Sequence, residues 1–187
     1  PKLSLQRYRE IFTFPVQDYY ITAGLDFSKT SFEVLGKDFI DDYESKKLTC
    51  SLYDNAVEIL SLIHEKGITQ SVLSAYLHEN LVKILDHYSL TKYFDYINGL
   101  DNIYAGSKVH LGLKLIEEIN LPGKEVLFIG DTLHDADVAK AMGVDCVLIA
   151  NGHQVKDRLI SGHNKVFNDL TDLKNYLSLD NNVNNKL

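Results

Sequence analysis

Apolar positions follow two regimes along the chain. Over residues 1 to about 50 they recur at helical spacing, and no stretch reads as a convincing strand. Ser4 can cap a short helix carrying Leu5, Tyr8, Ile11 and Phe12. A second helix is expected from Thr30, with Glu33 three residues on as a capping box. Its apolar side is Phe32, Leu35, Phe39 and Tyr43. Between the two lies an aromatic, turn-rich stretch, Phe14-Pro15-Val16-Gln17-Asp18-Tyr19-Tyr20.

From Tyr53 onward the pattern alternates helix and strand. Asp54 can cap a helix through Lys66 that Gly67 ends, and Ile68 to Ser74 reads as a strand. A helix over His78 to Tyr88, a short strand over Phe94 to Asn98 and a helix over Lys108 to Asn120 follow. Glu125 to Gly130 is expected to be a buried parallel strand, because Val126 to Ile129 is an unbroken apolar run. Asp135 to Met142 reads as a helix ended by Gly143, and Cys146 to Ala150 as a strand. A helix near 153 to 160, a strand at Val166-Phe167 and a helix from Leu170 close the series. Alternation of this kind predicts an α/β fold: a Rossmann-like parallel sheet with helices on both faces. The expected division is a helical unit over 1–52, an α/β core over 53–179 and an Asn-rich, fraying tail over 180–187.

Composition narrows the chemistry. With 187 residues, 45% of them hydrophobic, the chain can bury a real core. Its net charge of -7 argues against nucleic acid or an anionic membrane surface as partner. No apolar run is long enough to cross a bilayer, and no signal-peptide pattern opens the sequence. Cys50 and Cys146 form no metal-type pair, so a reducing, cytoplasmic setting is expected.

In open parallel sheets the chemistry sits at the carboxyl ends of strands. There the strongest signal is Phe128-Ile129-Gly130-Asp131-Thr132-Leu133-His134-Asp135. An apolar strand delivers Asp131 to its tip, where a hard cation such as Mg2+ can be bound. Asp135 follows in the first helical turn, either facing the same cleft or serving only as a helix cap. In Val72-Leu73-Ser74-Ala75 a strand ends in a hydroxyl before a helix. Ser74 and the N–H groups after it, beginning with Ala75, can hold phosphate oxygens; a plain strand-ending serine is the alternative. Lys108, after Ala105-Gly106-Ser107, is a cation at a helix start, where the helix dipole opposes it. It is either a phosphate-neutralising lysine or a solvated one.

In this order the three signals resemble the haloacid dehalogenase superfamily, especially its phosphoglycolate-phosphatase-like hydrolases. The likeness covers the whole chain and is densest over Gly130 to Gly143 and Val147 to Gly152. It implies that residues 1–52 are the later part of a helical cap and that 53–179 are the core. It implies further that Ser74 binds the transferring phosphoryl group and that Lys108 stabilises nucleophile and phosphate. Asp131 then holds Mg2+, with Asp135 as a supporting carboxylate. Members often carry Lys-Pro where this chain has Lys108-Val109. The implied function is Mg2+-dependent hydrolysis of a small phosphorylated metabolite, by a monomer or weak dimer.

One family element has no counterpart. The nucleophile is the first Asp of an Asp-x-Asp-x-Thr segment ending the first core strand. Here the one Asp-x-Asp, Asp135-Ala136-Asp137, falls in a predicted helix. The family's order puts the missing strand, its loop and the first cap helix before Pro1, a segment of roughly 30 residues at ordinary element lengths. Without that strand, the strands near 68–74 and 125–130 are expected to stand unpaired. The alternatives are that they close up and pair, or that another chain fills the slot. An inactive fragment that binds phosphate or a partner is therefore carried beside the phosphatase, and a dehalogenase as a third reading. His134 and His153 flank the cleft on this reading and either touch substrate or are plain polar loop residues, and Tyr19 and Tyr20 either shape it or pack within the cap.

Overall fold

The computed structural model describes residues 2–101 and 108–179, so the Ala105-Gly106-Ser107 segment and the 180–187 tail lie outside the described residues. The N-terminal region is helical as the spacing predicts. Helix α1 (Leu5–Ile11) starts at Ser4, whose hydroxyl accepts the Arg7 N–H at 3.1 Å. Helix α2 (Val16–Thr22) occupies the stretch predicted as turn-rich. Pro15 is its N-cap, in extended conformation, where a missing N–H costs nothing. Helix α3 (Phe32–Lys46) is capped by Ser31, which accepts from Val34 at 3.4 Å, so the expected Thr30–Glu33 box is not the cap. No residue of α3 is buried, and Phe39 is 58% exposed.

The core follows the predicted alternation. Helix α4 (Ala56–Glu65) begins after Asn55 rather than Asp54, and the Asn55 amide donates to Thr171 at 3.0 Å. Strand β1 (Ser71–Leu77) runs into α5 (His78–His87), and β2 (Tyr96–Leu100) precedes α6 (Lys108–Ile119). Strand β3 (Leu127–Gly130), α7 (Leu133–Met142), β4 (Asp145–Ile149), α8 (Lys156–Gly162), β5 (Val166–Phe167) and α9 (Leu170–Leu179) complete the chain. Gly143, at φ 71, closes α7 in the left-handed conformation that glycine adopts without steric cost.

Every strand pairing is parallel, but the strands form two sheets: β1 with β2, and β3-β4-β5 in that order. Among the described residues nothing hydrogen-bonds β1 to β3, so the two strands have not closed up. The sheets are joined through helices. α4 gives Ile59 and Ile63 to a cluster with Val147, Ile149 and Leu173, and gives Leu60 to a second cluster around Leu81, Leu85, Leu90 and Tyr93. α6 packs against β1, β2 and α7. On β4, Val147 and Ile149 face α4 and α9, while Leu148 points to the opposite face. All three β4 residues are buried. Strand β3 is not buried as predicted: it is an edge, and Ile129 is 40% exposed. An unbroken apolar run suits a strand with neighbours on both sides; among the described residues β3 pairs with β4 alone.

Candidate active site

The turn from β3 to α7 is built by close approach. A Cβ on Gly130 would lie 2.3 Å from the Cβ of Asp135, so only glycine lets the helix start fold back on the strand end. Thr132 caps α7 and forms a capping box with Asp135. The Asp135 carboxylate is buried, and both its oxygens have partners. Its Oδ2 accepts from the Asp131 N–H at 3.1 Å, the Thr132 N–H at 3.0 Å and the Thr132 hydroxyl at 2.7 Å. Its Oδ1 is ion-paired with the Lys108 ammonium. Burial alone would raise this carboxyl, but the Lys108 charge and the converging donors outweigh it and hold Asp135 below the usual carboxylate range.

Lys108 therefore reaches from the first residue of α6 to the first turn of α7, with its ammonium 5.5 Å from the centre of the Phe128 ring. A lysine at a helix start is explained here by a buried acceptor on a neighbouring element. Asp131 sits directly at the end of β3. Its Oδ2 accepts the His153 N–H at 2.7 Å, and a Cβ on Gly152 would lie 2.0 Å from that oxygen. Its Oδ1 has no hydrogen-bond partner among the described residues. Mg2+ is commonly held by one or two carboxylates with water and phosphate oxygens. Asp131 fits that pattern. Asp135, predicted as a possible ligand, has Oδ2 taken by three donors and Oδ1 by the Lys108 ammonium. Among the described residues no three His, Cys, Asp or Glu side chains gather closely enough to hold a metal alone.

Ser74 and Ala75 belong to the β1–β2 sheet. They are inside β1, not at a helix start as predicted, because the strand continues to Leu77 and α5 opens at His78. The register slips between Leu73 and Leu77, and the Ser74 hydroxyl accepts the Tyr76 N–H at 3.2 Å across that irregularity. Among the described residues no hydrogen bond joins Ser74 to Lys108 or Asp131, while α6, which opens at Lys108, packs against β1. The structure thus brings together Lys108, Asp131 and Asp135 and leaves Ser74 and Ala75 in the other sheet.

Several residues at this site carried no prior assignment. Thr132 was legible as the start of a Thr-x-x-Asp cap. Gly152, Gln154 and the N-terminal residues were not. The Tyr8 hydroxyl bonds Nδ1 of His153, and the Phe12 ring stacks on that imidazole at 4.7 Å. Burial pushes the Tyr8 hydroxyl up, with Tyr19 and Asp131 adding to the effect. Arg9 donates to the Asn151 carbonyl at 3.0 Å, and its Nε is buried without a partner among the described residues. Gln154 joins the Phe12 carbonyl to the Leu133 N–H. His134 is half-buried against Phe14, with ring centres 4.9 Å apart, and borders a small cavity of about 160 Å³. Tyr20 is buried in packing with Phe32.

A sequence profile of haloacid dehalogenase-like hydrolases matches residues 2–149. The chain is 27% identical over 112 residues to a phosphoglycolate phosphatase of Pseudomonas fluorescens, a match covering 59% of this chain and 41% of that protein. The chain thus spans less than half the length of this relative. Two solved structures share the fold. The protein tyrosine kinase A of Mycobacterium tuberculosis superposes with a TM-score of 0.73 at 21% identity, over 95% of this chain and 83% of its own. A haloacid dehalogenase-like hydrolase of Streptococcus pneumoniae gives 0.72 at 16% identity, over 87% and 76%.

Proposed function

The chain belongs to the haloacid dehalogenase-like hydrolase family, and from that premise we propose that it carries the metal- and phosphate-binding part of a phosphatase for a small phosphorylated metabolite. The observation that supports this best is the Lys108–Asp135 pair beside Asp131 at the carboxyl end of β3. Asp131 would hold Mg2+ through Oδ1. The bound ion supplies charge stabilisation to the transferring phosphoryl group. Lys108 has donors left after its bond to Asp135 and presents them to phosphate oxygens. Ser74 accepts the Tyr76 N–H but keeps its own proton to donate, and the Ala75 N–H is the neighbouring donor. Turnover through an aspartyl-phosphate needs a strand-borne nucleophile. The one Asp-x-Asp here, Asp135 to Asp137, lies within α7, so we assign that role to a segment outside this sequence.

The same observation favours a second reading, in which these 187 residues bind Mg2+ and phosphate without turnover. Titration calorimetry with Mg2+ and inorganic phosphate tests the binding common to both. Binding should vanish in Asp131→Asn and weaken in Lys108→Met. Phosphate release from a panel of small esters then separates the readings. It should be absent for this chain and appear when a strand carrying Asp-x-Asp-x-Thr is joined before it. Failure to bind either ligand would overturn the proposal. A cytoplasmic setting and a monomer or weak dimer complete it. Both cysteines are free, and no described helix is long and apolar enough to cross a membrane.

A further inference from the structure

We infer that Gln154 is a positioning residue for Asp131; the inference rests on the metal-binding reading of Asp131 given above. Gln154 is 3% exposed, and both ends of its carboxamide are used. Nε2 donates to the Phe12 carbonyl at 3.1 Å, and Oε1 accepts the Leu133 N–H at 2.9 Å. Neither bond lies within the loop that carries Gln154. Each reaches a different segment, so the side chain fastens residues 151–154 to the start of α7 and to the end of α1.

That loop also grips Asp131. The His153 N–H holds Oδ2, and Gly152 approaches the same oxygen too closely for any side chain. The N–H groups around the start of α7 have no intrahelical backbone carbonyl to bond and are capped by side chains. Those of Asp131 and Thr132 are met by Asp135, and that of Asp135 by Thr132, all inside the turn. Leu133 depends on Gln154, a residue of another loop. Gln154 is therefore the fastening that sets residues 151–154 against the 131–135 turn, and with them the His153 N–H that orients the Asp131 carboxylate. Its second bond brings in residues 8–12, where Tyr8 and Phe12 contact the His153 ring. Outer residues that orient a metal-binding carboxylate commonly change metal affinity 10- to 100-fold when removed, without touching the metal.

The test is Mn2+ binding to the full chain, read by electron paramagnetic resonance with Mg2+ as competitor. Gln154→Met has similar length and loses both bonds; it should weaken Mn2+ about tenfold. Gln154→Glu keeps an acceptor for Leu133 but faces the Phe12 carbonyl without a donor, and should weaken Mn2+ about threefold, between wild type and Gln154→Met. Leu173→Ala, a core truncation away from the site, should lower the melting temperature and leave Mn2+ affinity unchanged. Wild-type Mn2+ affinity in Gln154→Met overturns the inference and leaves Asp131 as ligand. If Gln154→Met does not fold, wild-type affinity in Gln154→Glu overturns it equally. Absence of Mn2+ binding in wild type as well as in Asp131→Asn overturns the metal reading itself and the inference with it.

Discussion

Lys108 and Asp135 show how one contact changes the meaning of a residue. Alone, each has an ordinary fate: a solvated lysine, a helix cap. Joined, they form a largely buried pair, and removing one partner leaves a charge without compensation. Lys108→Met should therefore destabilise the chain by about 3 kcal/mol in urea unfolding, the lower end for a buried pair because the lysine keeps some exposure. The pair also predicts a pH dependence. Asp135 titrates below its ordinary value near 3.8, so between the two values the unfolded chain binds more protons than the folded one. Its contribution is complete above about pH 4 and is lost as pH falls toward the folded value. In Lys108→Met the Lys108 charge and hydrogen bond that help hold Asp135 low are lost, and acid destabilisation should begin at higher pH. At Gly152 the constraint is space. Gly152→Ala puts a methyl on Asp131 Oδ2, so Mg2+ affinity should drop at least tenfold in calorimetry while the circular dichroism stays that of a folded chain.

At the scale of elements, helix starts carry much of the specification. Ser4, Ser31 and Thr132 each accept from the residue three positions on. Thr132 does more than the others, since its hydroxyl also donates to Asp135. Thr132→Ala should cost about 2 kcal/mol in urea unfolding, the upper end for a cap, while Thr132→Ser should recover most of it. Helix periods were legible because an apolar stripe repeats whatever the helix packs on. Boundaries were less so. The β1 strand extends past Ser74 to Leu77, and that shift moves Ser74 and Ala75 from a helix start into a strand. The register shift between Leu73 and Leu77 is a property of pairing with β2, which no local pattern of Ser71–Leu77 encodes.

For the molecule as a whole, the separation into two sheets dominates. β4 has partners on both sides, β3 on one. Half of the β3 N–H groups therefore point away from β4, on the side where β1 does not pair. Amide exchange should be slowest in β4 and faster by orders of magnitude at the outward N–H groups of β3, as measured by hydrogen-exchange spectroscopy. Uniform protection across β3 would contradict the two-sheet arrangement. With an apolar edge at Ile129, the isolated chain should also bind a hydrophobic dye more strongly than a closed-sheet relative.

The alternation of elements, the parallel sheet class and the Gly130-Asp131 to Asp135 turn were all readable from residue order, because each depends on neighbours within a few positions. The family likeness was readable for the same reason. Partnerships across the chain were not. That Lys108 pairs with Asp135, that Gln154 spans Phe12 and Leu133, and that Tyr8 meets His153 are matters of sequence separations from 21 to 145. The burial of β3 could not be read either, since an apolar run records what a strand can bury against, while the presence of that neighbour is decided only when the sheet assembles. Hydrophobic period is a local property of the chain; pairing, close approach and burial are properties of the surface that another segment presents.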